Sequence, residues 1–372
     1  MSNHKYRQIF EKLQDDICSG HYKPGSRLPS ESELVRRFEV SRMTVFHAMR
    51  ELQTLGLIVR RVGSGTFVSS NAHSGSHIFG LLIPELGQTE IFEAICQGMM
   101  EAQEAMHHSL LWGNSVSREQ DTEKAAEQLC EHYISRKVSG VFFAPVEYST
   151  NRFQSNHRIV AALDRAGIPV VLLDRCLEPY PRRSKYDLVG IDNRRAGYVA
   201  TEHLIRADAR RIVFFARPNS APTVDARIAG YREALQSHGG DSGRDLVRIG
   251  EASDAKFVKS ILKKDRPHAF VCANDLTAGD LMHTLISLGE RIPKDIRIVG
   301  IDDVKYARLL PVPLTTLHQP CRDLGRMALT VMLDRIANPD LPPRDVLLRC
   351  ELIVRKSCGM LSKMDQRQAR SL

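Results

Sequence analysis

Residues 29–67 read PSESELVRRFEVSRMTVFHAMRELQTLGLIVRRVGSGTF, and this stretch decides how the N-terminal part of the chain folds. Ser30 is a typical N-cap residue, and acidic residues fill the first turn of the helix that it opens. Ser41 is placed to cap a second helix, predicted to run from Arg42 to Leu55. Apolar residues recur at helical spacing on one side of both helices: Leu34, Val35, Phe38, Val45, Met49 and Leu52. The short break between them predicts a helix-turn-helix, whose second helix enters the major groove of DNA.

Two short apolar runs follow the second helix, at residues 57–59 and 66–68, and a glycine-containing turn at 61–65 separates them. This arrangement predicts a β-hairpin, the wing of a winged helix. Between Leu34 and Gly65 six arginines stand against two glutamates. A run of like charges is usually just a solvent-exposed face of a protein, but here the arginines coincide with the helix caps and the wing. Three arginines are placed to contact phosphates and base edges: Arg42, Arg60 and Arg61.

Residues 5–69 resemble the GntR-type winged helix. The strings that carry the resemblance are Leu28-Pro29-Ser30-Glu31-Ser32-Glu33-Leu34, Val40-Ser41-Arg42-Met43-Thr44-Val45, Gly56-Leu57-Ile58 and Gly63-Ser64-Gly65-Thr66-Phe67-Val68. The resemblance implies DNA contacts from Ser32, Ser41, Arg42, Thr44 and the turn at Gly63. With the basic residues, the predicted DNA-binding set is Ser32, Arg36, Ser41, Arg42, Thr44, Arg60, Arg61 and Gly63. Many relatives carry arginine directly after the Thr-Val pair, where this chain has Phe46. We expect Phe46 either to contact a thymine methyl group or to pack within the domain.

Composition restricts the classes of protein to which the chain can belong. Its 372 residues suggest two or three domains, and the net charge of +8 fits a nucleic-acid partner. The first residues lack the apolar core of a signal peptide, and no run approaches the roughly 18 apolar residues that span a bilayer. The eight cysteines form no Cys-x-x-Cys pair, so we interpret them as reduced thiols in a cytoplasmic protein. We expect no metal site and no cofactor.

A change in residue composition separates the predicted winged helix from the rest of the chain. Residues 69–76 are small and polar without a hydrophobic period, which is typical of a flexible linker. The predicted organisation is a DNA-binding domain at 1–70, a linker at 71–77, a second module at 78–356 and a disordered tail at 357–372.

The second module alternates strands with helices. Continuous apolar runs of strand length, such as 78–83, 140–144 and 167–174, are what buried parallel strands require. Repeated βα units predict parallel sheets with helices on both faces. About ten strands suit two similar sheets with a cleft between them better than one sheet. The fold class is therefore α/β, with a small winged helix-turn-helix ahead of a two-lobed domain.

Polar residues follow the predicted strands where such folds bind ligands, just past the carboxyl ends. The residues are the pairs Asp174-Arg175, Asn274-Asp275 and Asp302-Asp303, with Gln319 after another strand and Arg227 at the start of a predicted helix. Each of them alone could be a helix cap or a turn residue. Together they supply planar donors and acceptors for the hydroxyl groups of a ligand.

Residues 78–356 resemble the LacI/GalR effector domain, a relative of periplasmic sugar-binding proteins. The strings are Asp192-Asn193-Arg194-Arg195-Ala196-Gly197, Arg227 with Gly230-Tyr231, Ala273-Asn274-Asp275, Gly300-Ile301-Asp302-Asp303 and Leu314-Thr315-Thr316. The resemblance implies that Arg227, Asn274, Asp302 and Gln319 hold a small-molecule effector. Asp174, Arg175 and Phe92 are further candidates. A GntR-type winged helix joined to such a domain resembles the arrangement of the AraR-type arabinose repressors.

These features predict a homodimeric cytoplasmic transcription regulator, a repressor controlled by a small polar effector such as a sugar. Two winged helices would read the half-sites of a palindromic operator in double-stranded DNA, with no membrane partner. A sugar-binding protein without DNA function is the first alternative, and the winged helix argues against it. An enzyme is the second. Glu147, Asp174 and Asp302 could be read as paired carboxylates, but no nucleophile elbow, phosphate loop or metal cluster accompanies them, so we expect no catalytic residues. The direction of the effector's influence on DNA binding and the effector's identity stay open.

Overall fold

The computed structural model describes residues 2–18, 21–23, 25–54, 57–61, 64–69, 77–84, 90–102, 108–113, 122–239 and 246–360. The chain divides into two compact units, and the main boundary lies between His77 and Ile78. Most of the predicted linker, residues 71–76, lies outside the described residues, and so does the end of the chain from residue 361. No helix in the described ranges is long and apolar enough to span a bilayer.

The first unit is a three-helix domain with a β-hairpin. Its elements are α1 (Ser2–Cys18), α2 (Glu31–Phe38), α3 (Arg42–Thr54), β1 (Ile58–Arg61) and β2 (Gly65–Val68). β1 and β2 pair antiparallel as the predicted wing. All three helices and the wing contribute fully or nearly fully buried side chains to one core: Ile9, Leu13, Ile17, Leu34, Val45, Met49, Leu52, Ile58 and Val68. The helical periodicity therefore predicted the buried faces of α2 and α3 correctly.

Side-chain caps fix where α2 and α3 begin. Ser30 Oγ accepts the backbone N–H of Glu33 at 3.3 Å, and Glu33 Oε2 accepts the backbone N–H of Ser30 at 2.6 Å. This reciprocal capping box satisfies N–H groups that a helix start leaves unpaired. Ser41 Oγ accepts the N–H of Thr44 at 3.2 Å at the start of α3. The predicted caps are both confirmed.

The first lobe of the second unit is built on a six-stranded sheet in the order β13-β7-β6-β5-β3-β4. The strands are β3 (Ile78–Leu82), β4 (Ser109–Trp112), β5 (Gly140–Phe143), β6 (Val170–Leu173), β7 (Asp187–Ile191) and β13 (Asp345–Leu348). The helices α4 (Glu90–Glu101), α5 (Thr122–Ser135), α6 (Arg152–Arg165) and α11 (Cys321–Ala337) belong to this lobe. β5 and β6 are buried along their whole length, as their apolar sequences predict.

The second lobe has a six-stranded sheet in the order β14-β12-β11-β10-β8-β9. The strands are β8 (Ile212–Ala216), β9 (Val247–Ile249), β10 (Ala269–Cys272), β11 (Arg297–Asp302), β12 (Thr315–His318) and β14 (Glu351–Ile353). The helices are α7 (Asn193–Arg206), α8 (Pro222–Ser237), α9 (Ala255–Asp265) and α10 (Asp275–Ser287). α7 packs closely on α8, and a Cβ atom at Gly197 would collide with the backbone of Arg227.

The chain passes between the two lobes three times, at residues 191–193, 318–321 and 348–351. The carboxyl ends of β7, β12 and β13 therefore lead directly into the other lobe. Residues that follow these strands lie between the two sheets, which is where a two-lobed domain has its cleft. The predicted two-sheet architecture is confirmed.

Three details differ from the sequence prediction. The described part of this unit has twelve strands, and β14 runs antiparallel to β12 at the sheet edge. Arg227 does not open its helix, because α8 begins at Pro222, whose fixed φ suits a first helical position. The ordered domain also continues past residue 356: Ser357 and Cys358 are buried, and Ser357 Oγ donates to the carbonyl of Ile298 at 2.6 Å.

Candidate DNA interface and effector cleft

The N-terminal end of α3 is an open surface. The side chain of Arg42 is 81% exposed and Met43 is 60% exposed, so both are accessible to a partner. Ser41 and Thr44 share a hydroxyl–hydroxyl hydrogen bond of 2.8 Å beside them. The geometry suits a recognition helix, since the residues predicted to read base edges stand at its exposed first turn.

Two of the predicted DNA-contacting arginines share one carboxylate of the same domain. Glu31 accepts a hydrogen bond from Arg60, and its other oxygen lies 3.9 Å from Arg42 Nε. The guanidinium of Arg60 also lies 5.5 Å from the ring centroid of Phe46. Phe46 is half-buried, as the packing alternative predicts. The sequence count of charges began at Leu34 and so left out Glu31, which offsets part of the positive charge.

The remaining predicted contacts lie along α2 and the wing. Ser32 and Arg36 are exposed on α2, where Arg36 Nε donates to the Ser32 carbonyl at 3.4 Å. Arg61 is exposed on β1, and its guanidinium lies 4.9 Å from the Phe67 ring. Gly63 lies outside the described residues.

The sequence prediction did not include Arg27 among the basic residues near the wing. It is exposed, and its backbone forms an isolated antiparallel β-bridge with Phe67 of the wing. The glycine at position 65 is explained by its backbone, which has φ +113°; a Cβ atom there would also lie 2.8 Å from Arg27 Nε, but the exposed arginine side chain could move away. A basic residue directly before the Leu-Pro-Ser-Glu string was the signal that could have identified it.

In the second unit, four of the predicted effector residues stand at the carboxyl ends of strands, as expected. Asp174 follows β6, Asn274 follows β10, Asp302 ends β11 and Gln319 follows β12. Gln319 Nε2 donates to Asp302 Oδ1 at 2.7 Å. Asn274 is also the N-cap of α10, since its Oδ1 accepts the N–H of Thr277 at 2.9 Å. The cap interpretation is therefore confirmed for Asn274, and its role in the site stays a prediction.

Arg227 is the buried cation of this cluster, with 4% of its surface exposed. Its Nε donates to Asn193 Oδ1 at 2.7 Å, and its Nη1 donates to the carbonyl of Ala273. Within the described residues, Nη2 makes no hydrogen bond. Only part of the guanidinium fork is therefore available to a ligand, with its orientation set by α7 and the end of β10.

Burial and neighbouring groups shift the pKa of three carboxyl groups in the second lobe. Burial raises the pKa of Asp302 well above its usual value, the positive charge of Arg227 opposes the rise, and the charges of Asp275 and Asp174 add to it. Burial likewise raises the pKa of Asp275 to about 7, although Asp275 accepts hydrogen bonds from Thr316 Oγ1 at 2.6 Å and from the Val304 N–H at 3.1 Å. Asp303 differs: hydrogen bonds from His318 and Arg355 outweigh burial and lower its pKa.

Two buried acceptors in the cluster are unsatisfied. Asp174 Oδ1 and Gln319 Oε1 have no hydrogen-bond partner among the described residues. Buried polar atoms are normally paired, so unpaired acceptors beside a partly free arginine indicate a place for a hydrogen-bonding ligand. A cavity of about 370 Å³, within the usual size range of small-molecule sites, borders Asp302 and Gln319, whereas Asp174, Asn274 and Arg227 are not among the residues that line it. Its lining includes Glu90, Ile91, Asp302, Gln319 and Cys321.

Arg175 and Phe92 form the first lobe's part of the cluster. The guanidinium of Arg175 lies 5.1 Å from the ring centroid of Phe92. Arg175 also forms a buried ion pair with Glu147 and donates to the carbonyl of Pro145 at 3.0 Å. Arg175 is therefore largely committed to the protein, and it orders the wall of the cleft.

Comparison with known proteins agrees with both halves of this description. Residues 5–68 match the bacterial regulatory proteins of the gntR family, and residues 201–358 match a periplasmic binding protein-like domain. The arabinose metabolism transcriptional repressor of Geobacillus stearothermophilus is 30% identical over 367 residues, 95% of this chain and 97% of the relative. The chain belongs to this family of transcriptional repressors.

Solved structures extend the likeness to ligand complexes. A transcriptional regulator CelR–cellobiose complex is 26% identical, with a TM-score of 0.64, over 86% of this chain and 91% of that chain. A LacI family regulator of Enterococcus faecalis with bound ribose is 25% identical, with a TM-score of 0.61, over 77% and 100% of the two chains. The repressor therefore joins a GntR-type DNA-binding region to a LacI-type effector domain, as the two resemblances in the sequence predicted.

Within this repressor, three of the seven predicted effector residues have partners to which the motifs gave no role. Asn193 orients Arg227, Asp275 raises the pKa of Asp302, and Glu147 pairs with Arg175. Asn193 stood inside a quoted string and could have been proposed, whereas Asp275 was named with Asn274 among the polar residues at strand ends but was given no role of its own. Glu147 stood in no motif. Whether the seven residues hold an effector stays a prediction.

Proposed function

We propose that this repressor binds a palindromic operator as a homodimer and releases it when an uncharged sugar enters the cleft. It acts in the cytoplasm, because a repressor must share a compartment with its operator. It has no catalytic activity. The relatives support this proposal: one is named for arabinose metabolism, and two similar structures hold cellobiose or ribose.

The observation that carries the sugar assignment is the pair of unsatisfied buried acceptors, Asp174 Oδ1 and Gln319 Oε1, beside Arg227. A ring with adjacent hydroxyl groups donates to such acceptors and accepts from the free edge of a guanidinium. An apolar ligand would leave all three groups unpaired. A phosphorylated sugar would place negative charge near Asp174 and would disfavour ionisation of Asp302 still further, so the neutral sugar fits better.

Release requires that the sugar bind the DNA-incompetent arrangement more tightly, typically by about 1–3 kcal/mol. The three passages between the lobes offer a mechanism, because a ligand that contacts both lobes favours their closure. Closure of both subunits would change the spacing of the two winged helices and so their fit to the half-sites.

The test is a thermal-shift screen of the full-length protein with arabinose, ribose, cellobiose, other pentoses and hexoses, and sugar phosphates. A ligand at 100 times its dissociation constant adds about 2.7 kcal/mol of stability, which is readily measured. We expect a neutral sugar to stabilise the protein and to release it from operator DNA in a gel shift. Stabilisation by sugar phosphates alone would overturn the neutral-sugar assignment.

A further inference from the structure

A loop of the first lobe, residues 145–149, contacts the second lobe beside the predicted effector residues. The backbone N–H of Tyr148 donates to the carbonyl of Asn219 at 2.7 Å. The carboxylate of Glu147 accepts the backbone N–H of Ala221 at 3.2 Å. The hydroxyl of Tyr148 accepts a hydrogen bond from Asn274 Nδ2 at 3.1 Å. The loop therefore joins the two lobes at three points.

The backbone is strained where the loop meets the second lobe. Tyr148 has φ +61° and its partner Asn219 has φ +57°. Asparagine enters the left-handed region comparatively easily, but a bulky tyrosine rarely does. Such a conformation persists only where the surrounding structure imposes it, and it clusters at ligand clamps and switch regions. The Tyr148–Asn219 contact therefore marks a place where the fold accepts strain to bring the lobes together.

The side chain of Tyr148 is enclosed by groups from the second lobe. The guanidinium of Arg217 lies 4.3 Å from its ring centroid, a cation–π distance. Burial raises the pKa of Tyr148 to about 12, so the phenol stays neutral at physiological pH. Its hydroxyl fixes the Nδ2 of Asn274, whose Oδ1 already caps α10. The orientation of Asn274 thus depends on a residue of the opposite lobe.

Glu147 links Arg175 to the start of the helix that carries Arg227. Its carboxylate pairs with Arg175 in the first lobe and accepts the N–H of Ala221 at the start of α8, the helix that carries Arg227. Ala221 cannot cap the helix with its own side chain. The N-terminus of α8 carries partial positive charge, which favours a carboxylate at this position.

We propose that Glu147 and Tyr148 are positioning residues of the effector cleft, which hold the two lobes together and set Arg175 and Asn274 for the ligand. The proposal rests on the proposed effector function of that cleft. If the effector binds the joined lobes, its apparent affinity falls in proportion to the fraction of protein in that arrangement. Losing the contacts made by the 145–149 loop should therefore weaken the effector response without any change in the residues predicted to touch the effector.

The first experiment needs no effector. Amide hydrogen exchange is measured on the full-length protein for peptides covering residues 217–222 and 272–278. In Tyr148→Ala and Glu147→Gln we expect exchange in the second-lobe peptide 217–222 to rise about tenfold through easier local opening. Tyr180→Ala is the matched control, since Tyr180 belongs to the same lobe and is 91% exposed. Wild-type exchange rates in both test variants would overturn the proposal.

A second variant separates the backbone contact from the phenol. Asparagine tolerates the left-handed conformation, so Tyr148→Asn should keep the hydrogen bond to Asn219 and lose the contacts with Arg217 and Asn274. We expect peptide 217–222 to stay protected and peptide 272–278 to exchange faster. Equal loss of protection in both peptides would contradict a separate role for the phenol.

The experiment with effector titrates complexes of the protein and operator DNA with arabinose, and it records the midpoint, the arabinose concentration at which half of the protein is released. We expect Glu147→Gln and Tyr148→Phe to raise the midpoint about tenfold, with an unchanged fraction of protein competent to bind operator. A purely structural role would lower that fraction and leave the midpoint in place, which would overturn the proposal. If arabinose does not release even the wild-type protein, the arabinose version of the proposed function fails, and the exchange experiment alone decides the role of the loop.

Discussion

The winged helix and the effector cleft place their cations in opposite environments. Arg42 lies on an open surface, 3.9 Å from Glu31, whereas Arg227 is buried, donates to Asn193 and Ala273, and opposes the rise in the pKa of Asp302. Removing a surface cation deletes one contact with a partner. Removing a buried one leaves its acceptors unsatisfied and a carboxylate without its counter-charge. Similar substitutions should therefore have effects of different size and kind in the two regions.

The largest effect is expected for Arg227→Ala. It should abolish the response to the sugar found in the thermal screen, because hydrogen bonds to a charged group contribute about 1.5–3 kcal/mol each. Operator affinity should stay close to wild type, since the residue belongs to the other unit. A gel shift with and without sugar measures both. Arg206→Ala, at an exposed arginine of the neighbouring helix, is the control. If Arg227→Ala responds normally, the assignment of the cleft residues is wrong.

The next effect concerns pH and the buried carboxylates. The pKa of Asp275 is raised to about 7, so its protonated form is the one that the folded state favours. The stability it contributes is complete below its unfolded pKa and is lost as pH rises through about 7. In Asp275→Asn this loss disappears. The difference in free energy of unfolding between variant and wild type should grow by about 2–4 kcal/mol between pH 4 and pH 8.

Denaturant unfolding of both proteins across that range measures the difference. The comparison with the variant is needed because Asp187 and Asp303 have lowered pKa values and change stability in the opposite direction. Parallel pH profiles for the two proteins would show that Asp275 ionises in the folded state without cost.

The two regions also differ in how far the sequence could predict them. In the winged helix the caps, the apolar faces and the exposed arginines all follow from spacing within a short segment. The pairing of Arg60 with Glu31 was missed, because it joins residues 29 positions apart in sequence. Its consequence is confined to Glu31 and the two arginines that share it, Arg42 and Arg60.

In the cleft the strand ends were predictable, because continuous apolar runs show where buried parallel strands stop. The partners of the site residues were not. Glu147 reaches Arg175 and Ala221 through a loop, and no periodicity or motif marks it. The short edge strands β9, β13 and β14 were missed for a related reason: each contains a charged residue and is only partly buried.

In the winged helix, Arg42 and Arg60 should differ in how much they contribute to operator binding. Arg42→Ala should cost about 1–3 kcal/mol of specific operator binding if Arg42 contacts a base. Arg60→Ala should cost less, because Glu31 already neutralises part of its charge and Phe46 packs against it. Gel-shift titrations at several salt concentrations measure affinity and the number of phosphate contacts. Unchanged affinity in Arg42→Ala would remove that residue from the interface.

The smallest effect separates stability from binding on a single helix. Ser30 and Ser32 are both exposed serines at the start of α2, but only Ser30 takes part in the capping box with Glu33. Its hydrogen bonds to Glu33 also lower the pKa of that carboxylate, which keeps Glu33 ionised near the positive end of the helix. Ser30→Ala should cost about 1 kcal/mol of stability in the winged helix.

Ser32→Ala should leave that stability unchanged and weaken operator binding instead, since the family resemblance assigns Ser32 to the DNA contact. Calorimetry of the full-length protein separates the unfolding of the two units if they melt independently, and a gel shift gives the affinity. An equal loss of stability in both variants would mean that the hydroxyl of Ser32 also serves the cap. The two serines would then not divide helix capping and DNA contact between them.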